Sequence, residues 1–270
     1  MRNNFIVMEN RREIKCAITI AGSDSGGGAG IQADMLAFSA NGVFGTSAIA
    51  AVTAQNPDGV GAVAPVPLGV FRQQLDKVYA FFKPAAAKTG MLFDADHILA
   101  CVDFFLAHHA LPVIVDPVMV STSGSRLLEP SAEEALKKSL LPLAWLITPN
   151  LFEAEALLGE PVADMRKAAR ALSEKFQTNV LLKGGHAEGD DVEDILRLFN
   201  GEELSLKSRR MRGVDTHGGG CTLSAAITAN VAKGESLPDA CRKARQYLLR
   251  GMEQPVRASG RLFINHFPKK

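Results

Sequence analysis

Short apolar runs alternate with segments of helical periodicity along most of the chain. The runs are almost continuously apolar, which is typical of strands that are buried on both faces of a parallel sheet. They span residues 16–22, 46–55, 85–92, 112–120, 144–150 and 179–185. Between and after them, apolar residues recur at helical spacing in 68–82, 95–109, 131–141 and 163–176. This alternation predicts an α/β fold in which helices cover a largely parallel sheet.

The segment 193–211 has a different pattern, with two short alternating runs around the pair Asn200-Gly201. Such a pair between alternating runs indicates a β-hairpin, so we expect an antiparallel edge on the sheet. Two further helices are expected to begin near Cys221 and near Pro238. Because no linker or internal repeat divides the chain, residues 16–270 are predicted to form one domain, preceded by a flexible leader of residues 1–15.

Composition and charge narrow the classes of partner. The 270 residues carry 30 Lys and Arg against 29 Asp and Glu, a formal net charge of +1, so no nucleic-acid partner is expected. No apolar run approaches the ~18–20 residues of a membrane-spanning helix, so no membrane partner is expected either. The four cysteines form no CxxC pair, which favours a reducing, cytoplasmic location.

The most informative motif is the segment from Asp215 to Ala232, in which three glycines lead into an amphipathic helix. Gly218, Gly219 and Gly220 can turn their backbone N–H groups inward as an anion site, and the helix N-terminus adds partial positive charge. No Lys-Ser or Lys-Thr follows, so this is not a Walker loop. Cys221 stands in the first helical turn, where the pKa of a thiol is expected to fall. The alternative is a flexible turn before a core helix with a buried cysteine.

A second glycine cluster runs from Gly22 to Asp34, directly after the first predicted strand. Asp24 and Asp34 could hold a polar small molecule at this point. The alternative is a tight turn between a strand and a helix, since the glycine spacing does not match the dinucleotide fingerprint.

Polar residues at the ends of three later strands suggest a site for phosphates and a cation. Asn150 and Glu153 are three residues apart at a helix start and could hold the hydration shell of Mg²⁺, although the same spacing fits a capping box. Asp116 ends one strand, and Lys183 ends another before two glycines, where a lysine could contact nucleotide phosphates. Taken alone, each of these two is more often a solvated loop residue.

Several motifs in register resemble the hydroxymethylpyrimidine kinase and hydroxymethylpyrimidine-phosphate kinase family of the ribokinase-like superfamily. The resemblance runs from about Cys16 to Ala232 through AITIAGSDSGGGAGIQAD, VTAQN, KTGML, DPVMVSTSG, ITPNLFEAEAL, LLKGGH and THGGGCTLSAAI. It implies a single-domain three-layer sandwich whose mostly parallel central sheet has an antiparallel edge. It also implies ATP and Mg²⁺ as cofactors, a small-molecule substrate and a homodimer.

The resemblance further implies a role for each matching residue. Gln55 would grip the aminopyrimidine, and Cys221 would act as the general base in place of the superfamily's aspartate. The remaining residues would line the substrate pocket (Gly22, Asp34, Met91, Val118), form the anion hole (Gly218, Gly219, Gly220), contact the phosphates (Lys183) and hold magnesium (Asn150, Glu153, Asp116).

The implied activity is ATP-dependent phosphorylation of 4-amino-5-hydroxymethyl-2-methylpyrimidine, and of its monophosphate, in thiamine biosynthesis or salvage. Two alternatives stay open, a pyridoxal kinase activity in the same pocket and a non-catalytic pyrimidine-sensing module. The chain departs from the family where Gly219 replaces the usual threonine of Gly-Thr-Gly-Cys. Because the backbone N–H groups remain, reduced rather than abolished activity is expected. The tail 257–270 keeps the family's Asn-His-Phe without the glycine- and histidine-rich approach to it.

Overall fold

A central sheet organises the computed structural model, which describes residues 13–119, 128, 130–185 and 189–269. Its strand order is β3-β2-β1-β4-β5-β6-β7-β8-β9. The inner strands β2, β1, β4, β5, β6 and β7 are parallel, whereas β3, β8 and β9 pair antiparallel at the two edges. The strands are β1 (Cys16–Ser23), β2 (Phe44–Asn56), β3 (Gly59–Pro65), β4 (Ala86–Thr89), β5 (Val113–Val115), β6 (Leu146–Ile147), β7 (Asn179–Leu182), β8 (Asp191–Arg197) and β9 (Glu203–Arg209).

Helices connect the strands and cover both faces of the sheet. They are α1 (Gly30–Ala40), α2 (Leu68–Phe82), α3 (Ala95–Ala107), α4 (Pro130–Ala135), α5 (Leu151–Leu158), α6 (Met165–Phe176), α7 (Gly219–Ala232) and α8 (Leu237–Glu253). After α4 the chain continues through a π-helical turn, Leu136–Leu140, and a 3₁₀ turn, Leu141–Leu143. A separate two-stranded ribbon, β10 (Val256–Ala258) with β11 (Arg261–Phe263), follows α8.

Alternation along each buried strand divides the core into two layers. In β5, Val113 and Val115 pack with side chains of α2 to α6, whereas Ile114 packs with side chains of α1, α7 and α8. Successive strand residues point to opposite faces, so an apolar strand with both faces covered supplies both layers. This confirms the predicted three-layer arrangement and explains why the strands are apolar throughout.

The structure also confirms the predicted hairpin, formed by β8 and β9, and the two helices expected near Cys221 and Pro238. It differs at the other edge, where β2 and β3 form a second antiparallel pair that the sequence did not predict. The segment of β3 is rich in glycine and ends in proline, and much of it is exposed, so it lacks a buried apolar pattern. None of the described helices is long and apolar enough to cross a membrane. Most of the predicted leader, residues 1–12, lies outside the described residues, as does residue 120 at the end of a predicted strand.

Candidate active site

One open cavity of about 320 Å³ lies at the carboxyl ends of the parallel strands. This is where ligands bind in open α/β sheets. Of the thirteen candidate residues from the sequence, all except Asp34 line this cavity. They come from loops that are far apart in the chain: Gly22, Gln55, Met91, Asp116, Val118, Asn150, Glu153, Lys183, Gly218, Gly219, Gly220 and Cys221. The strand-end reasoning and the family resemblance together selected residues that the fold does bring together, whereas their chemical roles remain predictions.

The prediction that Asp34 lines the cavity is wrong. Its side chain on α1 is fully buried, and both carboxylate oxygens accept hydrogen bonds from Lys88 Nζ at 2.7 and 2.8 Å. Thr19 Oγ1 donates a further bond to Asp34 Oδ2 at 2.6 Å. Burial raises the pKa of Asp34, and the charge of Lys88 opposes that rise. The carboxylate is therefore committed to an ion pair inside the protein, in a place that the sequence alone could not reveal.

The end of the cavity near β1 and β2 holds the amide of Gln55. Gln55 Oε1 accepts a bond from Thr53 Oγ1 at 3.3 Å, and Gln55 Nε2 lies 3.4 Å from His217 Nε2. A Cβ atom at Gly22 would lie 2.5 Å from Met91 Cε, so this glycine leaves room for the methionine side chain. An amide beside an apolar side chain can both hydrogen-bond the edge of a planar ring and pack against its face.

Asp24 in the first glycine loop contacts His217 just before the second, so this pair joins the two loops. Nothing in the sequence predicted this contact. His217 Nε2 lies 3.0 Å from Asp24 Oδ2, and the backbone N–H groups of Gly26 and Ala29 donate to the same carboxylate at 2.8 Å each. Burial acts to raise the pKa of Asp24, but these hydrogen bonds outweigh it and hold the pKa below its ordinary value. Asp24 thus serves as an ionised anchor for the loop and for the imidazole.

The second glycine loop, formed by Gly218, Gly219 and Gly220, leads directly into helix α7. Gly218 has a left-handed backbone (φ 75°), and helix α7 begins at the next residue. Gly219 and Gly220 then form the first turn of α7, whose N-terminus faces the cavity. This geometry agrees with an anion site built from backbone N–H groups and a helix end.

The expectation that the pKa of Cys221 falls is wrong. Burial raises the pKa of this thiol to about 11, although the charge of Lys88 and the N–H of Gly30 oppose the rise. Asp34 and Asp116 add negative charge nearby and raise it further. Desolvation of the thiolate therefore outweighs the favourable helix end, since burial disfavours the charged form of any acid.

Lys183 reaches the other end of the glycine turn. Its Nζ donates to Asp116 Oδ1 at 2.9 Å and would lie 3.2 Å from a Cβ atom at Gly220. Asp116 is also held by Thr148 Oγ1 at 3.1 Å and by Ser224 Oγ at 3.3 Å. Burial acts to raise the pKa of Asp116, but the charges of Lys183 and Lys88 and the hydrogen bonds from Lys183 and Thr148 outweigh it and lower the pKa. Asp116 therefore holds the ammonium group of Lys183 in a fixed position beside the anion site.

Asn150 and Glu153 form the capping box that their spacing allowed. Asn150 Oδ1 accepts from the Glu153 N–H at 2.9 Å, and Glu153 Oε2 accepts from the Asn150 N–H at 2.8 Å. Burial raises the pKa of Glu153 to about 7, and the charge of Asp116 raises it too, against the opposing charge of Lys183. Within the residues that the structure describes, no group of three or more His, Cys, Asp and Glu side chains could hold a metal ion by itself.

A buried ion pair that the sequence did not single out stands where β8 meets α8. Arg245 donates to Asp194 and, at 2.7 Å, to Ser208 Oγ, and both members of the pair line the cavity. Asp194 Oδ1 also accepts from the Gly184 N–H at 2.9 Å, directly after Lys183. No pattern in the sequence predicts that Asp194 and Arg245 pair. Together they fix the backbone next to Lys183.

Known proteins resemble this chain over most of its length. The family model for phosphomethylpyrimidine kinase matches residues 24–263. The hydroxymethylpyrimidine/phosphomethylpyrimidine kinase of Haemophilus influenzae is 46% identical over 250 residues, which are 90% of this chain and 93% of the relative.

Two solved structures have the same architecture. The phosphomethylpyrimidine kinase of Clostridium difficile 630 superimposes with a TM-score of 0.77 at 39% identity, covering 87% of this chain and 98% of its own. An ADP complex of Bacillus subtilis pyridoxal kinase superimposes with a TM-score of 0.86 at 33% identity, covering 94% of this chain and 98% of its own. With the family model matching most of its length, the chain belongs to the phosphomethylpyrimidine kinase family and has the ribokinase-like fold.

Proposed function

We propose that this protein transfers the γ-phosphoryl group of ATP to 4-amino-5-hydroxymethyl-2-methylpyrimidine, and then to its monophosphate. The observation that carries the proposal is the order of groups around one cavity. Gln55 lies beside His217, His217 is followed by the glycine turn, and the far end of that turn lies beside Lys183. A ring-binding amide, an anion site and a cation therefore follow one another along the path that a phosphoryl group would take.

In this proposal the protein contributes positioning and charge neutralisation, as is usual for phosphoryl transfer. Gln55 would hydrogen-bond the aminopyrimidine edge, and Met91 and Val118 would pack on the ring. The N–H groups of the turn formed by Gly218, Gly219 and Gly220 would bind the oxygens of the transferred group. Lys183 would neutralise charge on the phosphates as it develops.

Cys221 would accept the proton of the substrate hydroxyl as the oxygen attacks phosphorus. Its thiolate is disfavoured at neutral pH because burial and the negative charges of Asp34 and Asp116 raise the pKa of the thiol, whereas the charge of Lys88 favours the thiolate.

Magnesium fits the donor chemistry of this site only as a hydrated ion. Asn150 Oδ1 is committed to the capping box, whereas the carboxylates of Glu153 and Asp116 line the cavity close enough to influence each other's charge. Mg²⁺ usually keeps several waters and binds one or two carboxylates together with substrate phosphates. Glu153 and Asp116 would hold it, and the ion would supply charge neutralisation on the phosphates.

Pyridoxal is the second candidate substrate. The observation that favours it is the close superposition on the pyridoxal kinase of Bacillus subtilis. Pyridoxal also carries a hydroxymethyl group on a planar heteroaromatic ring, so Gln55 and Met91 could accept it. A pyrimidine-sensing module without turnover is a third possibility, against which the retained Lys183 and Cys221 speak.

One assay separates the three functions. ATP consumption and product mass are measured with the hydroxymethylpyrimidine, with its monophosphate and with pyridoxal. The proposal expects products 80 Da heavier from both pyrimidines, the mass that one added phosphoryl group contributes to a neutral product. Turnover of pyridoxal alone would support the second candidate, and saturable pyrimidine binding without ATP consumption would support the sensing module.

We also propose a homodimer in the cytoplasm with no nucleic-acid partner. The near-balanced charge of +1 gives no electrostatic attraction for nucleic acid. Sedimentation equilibrium of the full chain tests the dimer, since a monomer has a mass of 28.9 kDa.

A further inference from the structure

Lys88 is a fully buried lysine beside the cavity that the proposed mechanism leaves without a task. It sits on β4 in the KTGML motif, and its side chain is 0% exposed. Its Nζ donates to both oxygens of Asp34, which is also 0% exposed. Lysine is almost never fully buried unless it is paired, so this position requires an explanation.

The strand geometry shows which way Lys88 points. Ala86 packs in the core layer formed with α1, α7 and α8, whereas Ala87 packs in the opposite layer. Because alternate strand residues share a face, Lys88 points to the same side as Ala86. Asp34 on α1 receives it there, and α7 packs against both α1 and β4. Gly30, whose N–H hydrogen-bonds the Cys221 thiol, begins α1, and Asp34 lies one helical turn later. The ammonium group that Asp34 holds therefore lies near the start of α7, which carries Cys221.

The charged groups around the Cys221 thiol come from four elements. They are Lys88 from β4, Asp34 from α1, Asp116 beyond β5 and Lys183 beyond β7. After burial, Lys88 is the strongest influence on the thiol and acts to lower its pKa, whereas Asp34 and Asp116 act to raise it. Lys88 keeps its own proton firmly, because Asp34 and the other negative groups raise its pKa despite burial.

A contribution to folding stability does not explain why the Lys88–Asp34 ion pair is buried here. Replacing a buried ion pair by apolar side chains of similar volume is often neutral or stabilising, because two charges must be removed from water to bury it. The neighbouring apolar residues of β1 and β4 show that this layer could have been filled without charge. A fixed positive charge under a site where a thiol must ionise is a more specific use of the position.

We propose that Lys88, held by Asp34, is the positioning residue for Cys221, and that its ammonium stabilises the thiolate that accepts the substrate's hydroxyl proton. The proton leaves the hydroxyl oxygen for sulfur while that oxygen bonds to phosphorus, and the bond from phosphorus to the leaving ADP oxygen breaks. Lys88 contacts no reacting atom in this scheme. The role of Lys88 in proton transfer, the catalytic half of the inference, rests on the proposed kinase function. Its effect on the ionisation of Cys221, the electrostatic half, does not.

The pH dependence of alkylation tests the electrostatic half without any substrate. Iodoacetamide labelling of each cysteine in the full chain is followed by mass spectrometry across a pH series, for wild type and for the double variant Lys88→Met/Asp34→Asn. This variant removes both charges, so no buried charge is left unpaired. Because Lys88 influences the thiol more strongly than Asp34 does, we expect the alkylation midpoint of Cys221 to move to higher pH and the thiol to react more slowly below that midpoint. A superimposable Cys221 profile would overturn the inference.

The other cysteines report a merely structural effect. Cys101 and Cys241 are fully buried, and burial strongly raises the pKa of each thiol. They should stay unlabelled in both proteins if the variant remains folded. If they become reactive and the midpoint of Cys221 does not move upward, Lys88 only supports the fold and the inference fails.

A second neutral variant guards against a folding defect. Lys88→Gln/Asp34→Asn also removes both charges, and its two amides can hydrogen-bond each other in place of the ion pair. Its Cys221 alkylation midpoint should also move to higher pH. An unchanged midpoint in this variant would overturn the inference even if Lys88→Met/Asp34→Asn does not fold.

Turnover tests the catalytic half. In the double variant we expect kcat at neutral pH to fall about tenfold and to recover as pH rises, with KM for ATP and for the pyrimidine unchanged. A shifted alkylation profile with no turnover in wild type would refute the kinase function and leave the electrostatic role intact. Unchanged kcat in a variant with a shifted profile would overturn the catalytic role of Lys88.

Discussion

Gly218 packs against the backbone of Gly28 so closely that a Cβ atom at Gly218 would lie 1.7 Å from the Gly28 carbonyl oxygen. The two glycine loops, which stand 190 residues apart in the chain, therefore meet without any side chain between them. The left-handed backbone of Gly218 (φ 75°) adds a second reason for glycine at this position. This contact sets the distance between the substrate end of the cavity and the anion site.

The first prediction is that Gly218→Ala disrupts the site. The backbone conformation alone costs about 1–2 kcal/mol for a residue with a Cβ atom, and the clash with Gly28 adds to it. We expect a lower Tm and a fall in kcat/KM of at least about tenfold, measured by thermal unfolding and steady-state kinetics.

Gly219→Ala is the matched control, because a Cβ atom there would meet only Ile264 Cδ1 at 3.7 Å and Met252 Cε at 3.8 Å. These are ordinary contacts, and alanine in a helical turn should raise stability by about 0.5–1 kcal/mol. Gly219→Thr, which introduces the residue that the family resemblance leads us to expect, should also fold and should keep or increase activity. Equal effects of alanine at Gly218 and Gly219 would contradict the close approach of the loops.

The second prediction concerns Gln55, whose amide lies between Thr53 and His217. Gln55→Leu keeps the size of the side chain but leaves the ring edge of a bound pyrimidine without partners, at a cost of about 1–3 kcal/mol. The KM for the pyrimidine should rise while the KM for ATP stays unchanged, as measured by varying each substrate in turn. An unchanged pyrimidine KM would remove Gln55 from the substrate site.

The sequence predicted the framework of this protein well because apolar strands with two covered faces leave a strong pattern. It missed β3, since the exposed segment Gly59–Pro65 has no such pattern. It also misplaced Asp34 of α1, whose partner Lys88 lies 54 residues away on strand β4. The direction of the Cys221 pKa could not be predicted either, because the helix end is visible in the sequence whereas the depth of burial is not.

The third prediction is that Glu153→Gln separates helix capping from cation binding. Glutamine also serves in a capping box, so Tm should change little if Glu153 only caps α5. If the carboxylate helps to hold hydrated Mg²⁺, the magnesium concentration needed for half-maximal activity should climb. Asp164→Asn, at the N-cap of α6 and away from the cavity, is the control for a purely structural capping change. Superimposable magnesium titrations of Glu153→Gln and wild type would restore the capping interpretation.

The raised pKa of Glu153 also predicts a pH dependence. The folded protein holds this proton up to about pH 7, whereas the unfolded chain releases it at the lower pKa of an ordinary glutamate. The stabilisation by the protonated form is therefore complete below that ordinary pKa and is lost as pH rises through about 7. Denaturant unfolding should show this decline in wild type and a weaker one in Glu153→Gln. Magnesium should bind more weakly as pH falls below this range, because it requires the carboxylate.

The last prediction concerns Cys221, which stands in the first turn of α7 at the wall of the cavity. With a thiol pKa near 11, the base is mostly protonated at neutral pH, so kcat/KM should rise with pH over the neutral to alkaline range. Cys221→Ser should lower kcat by roughly 10²-fold, the scale for loss of a general base, with little change in Tm or in pyrimidine KM. Cys221→Asp should restore part of the rate and move its pH dependence to lower pH, because an aspartate ionises far more readily than a thiol. Stopped-flow measurement of the phosphoryl-transfer step across pH checks all three proteins. A Cys221→Ser variant with near-normal kcat would show that the thiol only packs against the glycine turn and that the hydroxyl loses its proton by another route.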